Sequence, residues 1–334
     1  MKASQIYDAL THFTQEKLPA FIWGPPGIGK SSIVKQIAAD HAYDFIDLRL
    51  SLLDPTDLKG IPFFDKARHE AVWATPDFLP KDPDSRGILF LDEINTAAPS
   101  VQAAAYQLVL DRKVGDYTLP EGWSIIAAGN RENDRGVTYR MPPPLANRFV
   151  HLEMVVDFED WKAWAMQHGI DPAVVGYLTY APDRLFDFDP ARNERSFPTP
   201  RSWEYVDRIL RSGLDEGLLH EAVTGAIGRE NSVDFLAFRK VMHRMPDIDA
   251  IMRGELTGIE EEDNRVLFAL CAGIVNRLIR EPDKARIGRI LAFSMTLPPE
   301  FAVMLVKDMQ KNGINPENAP HWEDWVRKFS YLLA

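Results

Sequence analysis

The stretch Gly24-Pro25-Pro26-Gly27-Ile28-Gly29-Lys30-Ser31 decides the fold of this chain of 334 residues. It directly follows the apolar segment Ala20–Trp23, which reads as a strand. Behind it, apolar side chains recur at helical spacing, at Ile33, Ile37 and Ala38. This order of strand, glycine-rich loop and helix suits phosphate binding. Glycines let backbone N–H groups turn inward around a phosphate, and the helix presents its positive N-terminus to the same charge.

Two side chains of this loop add chemistry of their own. Lys30 is placed to reach the β- and γ-phosphates of a nucleotide, and the Ser31 hydroxyl is placed to hold Mg²⁺. We therefore predict that ATP binds to the whole loop, with Mg²⁺ as its companion ion. The predicted binding residues are Gly24, Pro25, Pro26, Gly27, Ile28, Gly29, Lys30 and Ser31.

A second motif, Ile88-Leu89-Phe90-Leu91-Asp92-Glu93, is an apolar run that ends in two acids. In an open α/β sheet such acids lie at the carboxyl edge, where ligands bind. Asp92 is predicted to hold the Mg²⁺ shell, and Glu93 to orient and deprotonate the attacking water. An acidic pair after a strand can also simply cap a helix, but the phosphate-binding loop upstream favours the catalytic interpretation. Glu93 thus indicates hydrolysis of ATP.

Strands and helices alternate over the first half of the chain, and only helices follow. Besides the strand before the loop, Tyr43–Leu50, Gly87–Leu91 and Trp123–Ala128 read as strands, with helical segments between them. This alternation predicts an α/β domain with a parallel sheet over residues 1–155. Residues 156–245 read as a helical lid and residues 246–334 as a helical C-terminal extension without a recognisable motif.

Composition narrows the class of protein. The net charge of −11 disfavours a static DNA-binding protein, although a local basic groove stays open. No apolar run approaches the ~20 residues that span a bilayer, and the first residues lack the apolar core of a secretory signal. Cys271 is the single cysteine and is expected to be buried. We predict a cytoplasmic protein without a membrane segment.

Motifs of other enzyme classes are absent from the sequence. There is no H-E-x-x-H or Cys/His cluster for zinc, no G-x-S-x-G of a serine hydrolase, and no G-x-G-x-x-G after a strand. The chemistry of the chain therefore rests on the two motifs above.

With these motifs the chain resembles the AAA+ ATPases, and within them the MoxR-type group. Ile125–Asn130 resembles the strand that ends in the sensor-1 residue, and Pro142–Phe149 resembles the segment that carries an arginine finger. Thr199-Pro200-Arg201-Ser202 resembles the start of the lid helix that carries the sensor-2 arginine.

The resemblance implies roles for three side chains. Asn130 would hydrogen-bond the lytic water or the γ-phosphate. Arg148 would complete the site of a neighbouring subunit as the finger, a role that Arg140 could share. Arg201 would touch the γ-phosphate of its own subunit. A finger supplied from outside implies a homo-oligomer, which in this family is commonly a hexameric ring.

Two insertions resemble those of the MoxR-type branch. Asp54–Gly60 leads into a predicted hairpin over Ile61–Trp73, and Asp111–Pro120 resembles the pre-sensor hairpin. In the family such hairpins line the axial face of a ring. Phe63 and Phe64 could grip a polypeptide there, or they could be packing residues.

The resemblance implies a chaperone-like function, in which ATP hydrolysis remodels a protein client or a partner with a von Willebrand factor A domain. A nucleic-acid motor, such as a helicase or restriction-type subunit, is the alternative within the wider clade. A nucleotide-gated scaffold without enzymatic activity is a further one, which the intact Glu93 disfavours.

Overall fold

The computed structural model describes residues 1–332 except 68, 132–133, 135–138, 140, 193 and 262, and describes only the backbone of 242 and 243. Its contacts divide the chain into two compact units. The first contains Met1–Asp157 with Asp189–Asn193, and the second contains Phe158–Phe188 with Glu194–Ala334.

The first unit is built on a five-stranded sheet in the order β2-β5-β8-β1-β9, in which the paired strands run parallel. Helices flank this sheet, and two short hairpins project from it. In chain order the elements are α1 Ala3–Glu16, β1 Ala20–Trp23, α2 Lys30–Asp40, β2 Asp44–Arg49, α3 Pro55–Lys59, β3 Ile61–Asp65, β4 Glu70–Ala74, β5 Gly87–Asp92, α4 Pro99–Asp111, β6 Lys113–Val114, β7 Tyr117–Thr118, β8 Trp123–Gly129, α5 Pro143–Ala146 and β9 Val150–Glu153.

The central strands explain why the sheet could be predicted. In β5 all residues before Asp92 are buried, and β8 is buried throughout. A parallel strand covered on both faces reads as a continuous apolar run, which is what both segments show. The predicted α/β fold with a parallel sheet, the P-loop AAA+ fold, is therefore confirmed, and a helical region follows it as predicted.

The edge strand β9 was not predicted. Only Leu152 of its residues is buried, and the strand is just four residues long. Pairing with β1 places Phe21 opposite His151. The strand forms because β1 offers it a free edge, and that edge exists only once the chain has folded.

The two predicted hairpins are present. β3 pairs with β4 and β6 pairs with β7, both antiparallel. The Trp73 N–H donates to Asp116 Oδ2 at 3.1 Å, so the two hairpins are joined directly. Phe63 and Phe64 are 52% and 60% exposed, so neither packs into the core of its own chain.

The second unit consists of helices. They are α6 Phe158–Gln167, α7 Pro172–Tyr180, α8 Pro200–Arg211, α9 Glu216–Ile227, α10 Arg229–Lys240, α11 Ile248–Arg253, α12 Asn264–Arg280, α13 Lys284–Ser294, α14 Pro299–Lys311 and α15 Trp322–Phe329. Among the described residues, no helix combines the length and apolar character that crossing a membrane requires.

The long helix α12 lies at the centre of this unit and packs along α7. The two helices approach closely, since a Cβ at Gly176 would lie 2.7 Å from the Ala269 Cα. Cys271 on α12 is fully buried, as predicted, and burial raises the pKa of its thiol. The predicted boundary at residue 245 separates these two helices in sequence, and it stays a prediction.

Candidate nucleotide-binding site

The loop between β1 and α2 has the backbone that its glycines allow. Gly27 and Gly29 have φ values of 78° and 98°, in the region that side chains disfavour. A Cβ at Gly24 would lie 2.7 Å from Ile28 Cδ1 and 3.0 Å from the Met154 carbonyl oxygen. Gly29 is the N-cap of α2, and the first N–H groups of any helix have no acceptor within the helix. The loop therefore leads into backbone donors that the helix itself cannot pair, as an anion site requires.

The Lys30 ammonium connects this loop to the neighbouring strand. Its Nζ donates to the carbonyl oxygens of Gly24 at 2.6 Å and Pro25 at 2.9 Å. It also donates to Asn130 Oδ1 at 3.1 Å. Because β8 lies beside β1 in the sheet, Asn130 at the end of β8 reaches the lysine. Two residues predicted separately from the sequence are thus in contact.

Asp92 and Glu93 end β5 at the same edge of the sheet. Burial raises the pKa of the Asp92 carboxyl, and the charges of Asp47 and Glu93 raise it further. The Glu93 N–H, which donates to Asp92 Oδ1 at 2.9 Å, lowers that pKa, as does Lys30. Glu93 itself has a φ of 57°, which is uncommon for a residue with a side chain, and its carboxylate accepts from the Ser51 hydroxyl.

Three polar residues of this region were missed by the sequence analysis. Asp47 on β2 is a third carboxylate here. Burial raises its pKa, as does the charge of Glu93, whereas the charges of Arg49 and Lys35 lower it. The signal was an acid between the apolar residues Phe45, Ile46 and Leu48 of the strand. Ser51, the partner of Glu93, follows β2 and gave no signal.

Asn95 is the third missed residue. Its side chain is buried, and its Nδ2 donates to the Asn130 carbonyl oxygen at 2.7 Å. Its backbone carbonyl accepts from the Tyr139 N–H at 2.7 Å. Asn95 therefore fixes the segment after β8 to the turn after β5. A role of this kind depends on contacts between distant segments, which a linear motif does not show.

The side chains at this edge fit a magnesium ion. Ser31 and Asp92 supply hard oxygen atoms, and Mg²⁺ commonly takes one or two protein oxygens together with the substrate phosphates. Burial and the neighbouring acids raise the pKa of Asp92, which means that they disfavour its charged form. A cation close to this carboxylate would stabilise the charged form. Within the described part of the chain, no group of three His, Cys, Asp or Glu side chains could hold a metal alone. The site thus suits an ion shared with a nucleotide.

The predicted arginines are exposed. Arg148 follows α5, and its guanidinium pairs with no described side chain of its own chain. Arg201 lies in the first turn of α8, in the second unit. That helix begins with a capping box in which Thr199 and Ser202 exchange hydrogen bonds. Arg140 lies outside the described residues.

Comparison with known proteins agrees with this geometry. Residues 20–155 match the family model of the ATPase family associated with various cellular activities (AAA).

Solved structures are similar to the chain at low identity. NtrX from Brucella abortus in complex with ADP is 15% identical with a TM-score of 0.40, over 99% of this chain and 68% of that one. A mutant of RuvB from Thermotoga maritima is 20% identical with a TM-score of 0.37, and the match covers 83% of this chain and 82% of that one. A protein of Cytophaga hutchinsonii assigned as an ATPase is 14% identical with a TM-score of 0.37, and the match covers 99% of this chain and 87% of that one.

Proposed function

We propose that the AAA ATPase domain in residues 20–155 binds Mg²⁺ and ATP at its glycine-rich loop and hydrolyses the ATP. The observation that carries this proposal is the contact of Lys30 Nζ with Asn130 Oδ1, at the edge where β5 ends in Asp92 and Glu93. The Lys30 ammonium, the polar side chain that follows β8 and the acidic pair that ends β5 thus lie in one unit, at the same edge of the sheet.

The chain's own groups divide the reaction between them. The loop N–H groups and Lys30 would hold the phosphates, and Ser31 and Asp92 would hold Mg²⁺. The ion, when bound, would supply positive charge that offsets the negative charge of the phosphates. Glu93 accepts a proton from a water that attacks the γ-phosphorus, while the bond to the bridging oxygen breaks and ADP leaves. Asn130 would orient the water, and the family resemblance implies that Arg201 and a neighbour's Arg148 would stabilise the developing charge.

The substitution Glu93→Gln tests the hydrolytic step. Glutamine keeps the shape and an oxygen that can accept from Ser51, but it cannot take a proton. Phosphate release should fall about 10²–10⁴-fold while binding of a fluorescent ATP analogue persists. Lys30→Ala should weaken that binding instead, and chelation of Mg²⁺ should stop turnover of the parent protein. Unchanged phosphate release in Glu93→Gln would refute a catalytic role for this carboxylate.

We further propose a homo-oligomeric ring, in keeping with the MoxR-type resemblance and with a hexamer as the expected size. Its support is Arg148, which is exposed and has no partner among the described side chains of its chain. A finger that acts on the next subunit requires such an arrangement. Native mass spectrometry with Mg²⁺ and ATP measures the subunit number. A protein that hydrolyses ATP efficiently as a monomer would contradict the ring.

The ring would work in the cytoplasm as a chaperone-like remodelling ATPase, acting on a protein client or on a partner with a von Willebrand factor A domain. The exposed Phe63 and Phe64 on a projecting hairpin support a polypeptide as the contacted molecule, and the net charge of −11 disfavours a nucleic acid. Stimulation of phosphate release by a protein partner is the expected result. Stimulation by DNA or RNA would favour a nucleic-acid motor instead.

A further inference from the structure

The turn that carries Arg148 is tied to the strand that leads into the glycine-rich loop. The tie is His151 on β9, which lies beside β1. Trp23 Nε1 donates to His151 Nδ1 at 2.9 Å. On the other side of the imidazole, His151 Nε2 lies 2.8 Å from the carbonyl oxygen of Ala146, the last residue of α5.

The chemistry of the two partners fixes the state of the imidazole. An indole N–H can only donate and a backbone carbonyl can only accept. His151 Nδ1 must therefore be the acceptor, and Nε2 must carry the hydrogen. Only the neutral ring with its proton on Nε2 satisfies both contacts, because a protonated ring would turn a second N–H toward the indole donor.

Both ends of the arginine turn are anchored by this arrangement. The Ala146 carbonyl also accepts from the Phe149 N–H at 3.2 Å. Phe149 is buried and packs edge-on against Phe21, with ring centroids 5.6 Å apart. The rings of His151 and Trp23 lie edge to edge, with their planes 23° apart and their centroids 6.0 Å apart. Arg148 lies between these anchors, so the backbone of its turn is held while its side chain stays exposed.

We propose that His151 is a positioning residue for Arg148, through the hydrogen bonds that join Trp23, His151 and Ala146. Trp23 immediately precedes Gly24, so the clamp links the strand of one phosphate-binding loop to the arginine offered to the next subunit. The proposal rests on the in-trans role of Arg148 proposed above. Fixing that turn in advance reduces the ordering that the arginine must undergo when it meets the neighbouring nucleotide.

Mixed assemblies can measure the finger separately from the subunit's own site. One protein carries Arg148→Ala and keeps an intact nucleotide site. The other carries Lys30→Ala, which disables its own site and leaves its arginine to serve the neighbour. Phosphate release by the mixture, beyond that of either protein alone, then reports the arginine of the Lys30→Ala protein. Histidine variants are placed only in this second protein.

His151→Phe retains an aromatic ring but loses both hydrogen bonds. In the Lys30→Ala protein it should reduce the rescue by about 5–30-fold, the effect of two neutral hydrogen bonds. His151→Gln offers both a donor and an acceptor and should restore much of it. His12→Phe is the matched control on α1, exposed and without a partner among the described residues, and should leave the rescue unchanged.

The outcomes separate this inference from the function on which it rests. Suppose that the Lys30→Ala protein rescues Arg148→Ala, and that the Lys30→Ala protein with His151→Phe rescues it equally well. His151 then does not position the arginine. If no mixture gives rescue, the in-trans role of Arg148 is wrong and the inference falls with it. Native mass spectrometry of each mixture checks that the histidine variants still assemble. The clamp is supported if the His151→Phe protein assembles like the control yet rescues poorly, because a defect in folding would lower assembly as well as rescue.

Discussion

At the scale of single residues, Gly29 shows how the loop depends on backbone conformation. Its φ of 98° disfavours any side chain, although the space around it is open. We expect Gly29→Ala to destabilise the fold by about 1–2 kcal/mol, as measured by chemical denaturation. It should also weaken ATP binding, because relief of the strain moves N–H groups that face the phosphates.

Gly313 is the matched control for this substitution. It too has a positive φ, of 76°, and no atom lies within 4 Å of where a Cβ would stand, but it follows α14 in the second unit. Gly313→Ala should lose similar stability and keep the affinity of the parent for a fluorescent ATP analogue. Equal loss of affinity in both variants would show that the effect is general and not local to the loop.

Tyr117 on the β6–β7 hairpin gives a prediction in alkaline solution. Burial raises its pKa to about 12, and its hydroxyl donates to the Pro80 carbonyl oxygen at 2.8 Å. The folded pKa lies above the unfolded value of 10.0. This group's stabilisation is therefore complete below pH 10 and is lost as the pH rises towards 12.

Tyrosinate absorbance during an alkaline titration checks this expectation. Tyr177 also has its pKa raised by burial to about 12, and the hydrogen bond to Asp40 raises the pKa of Tyr7, so several tyrosines of the folded parent should titrate late. Tyr117→Phe should reduce this late fraction by one tyrosine. If the late fraction is the same in both proteins, the Tyr117 hydroxyl is not buried in solution.

The residues that could be predicted from sequence are those within one short motif. Lys30, Ser31, Asp92 and Glu93 were found because their spacing along the chain is itself the signal. Asp47, Ser51 and Asn95 were not, because their contacts depend on which strands become neighbours. The order β2-β5-β8 brings them beside the acidic pair, and the chain does not state that order locally. The catalytic roles of the motif residues stay predictions.

At the scale of elements, α6 and α14 are joined by a buried ion pair. Lys162 Nζ lies 2.6 Å from Asp308 Oδ2, and the two side chains are 5% and 7% exposed. Burial raises the pKa of Asp308, and the Lys162 ammonium lowers it. Lys162→Met should destabilise the fold by about 3–5 kcal/mol, because it leaves a buried carboxyl without its partner.

The same two helices supply a control for this pair. Lys311 and Glu159 also join α14 to α6, but both side chains are about half exposed. Lys311→Met should change the unfolding free energy by less than about 1 kcal/mol. The double variant Lys162→Met with Asp308→Leu should be more stable than Lys162→Met alone. A double variant that is less stable would contradict the view that the unpaired charge causes the loss.

Elements with a long apolar run or within a recognisable motif were predicted well, and several short ones outside the motifs were missed. The strands predicted as Gly87–Leu91 and Trp123–Ala128 are β5 Gly87–Asp92 and β8 Trp123–Gly129 in the structure. The edge strand β9 and the short helices α5 and α11 were not expected, because four to six residues give too few turns or alternations to show a pattern.

At the scale of the whole molecule, the second unit should depend on residues 246–334. Helix α12 packs along α7, whose residues Ala173–Leu178 are all buried. A protein cut after Met245 exposes that apolar face. Each large apolar side chain left in water loses about 1.5–3 kcal/mol, so we expect the helices of residues 158–245 not to fold cooperatively.

Near-UV circular dichroism and limited proteolysis of the 1–245 protein, beside the full chain, check this dependence. Protease should cut freely within residues 158–245 of the shortened protein and spare the same segment of the full chain. If the shortened protein is equally resistant, residues 156–245 form an independent lid, as the sequence analysis predicted.

The backbone of Glu93 has a consequence for how this protein responds to laboratory evolution. A left-handed φ of 57° at a glutamate stores about 1–3 kcal/mol of strain, which asparagine or glycine would relieve. A screen that rewards only heat resistance would therefore enrich replacements at position 93, and under the proposed function these would lose ATP hydrolysis unnoticed. Thermostable descendants of this chain should be assayed for phosphate release in every round, so that stability is not gained at the cost of the proposed activity.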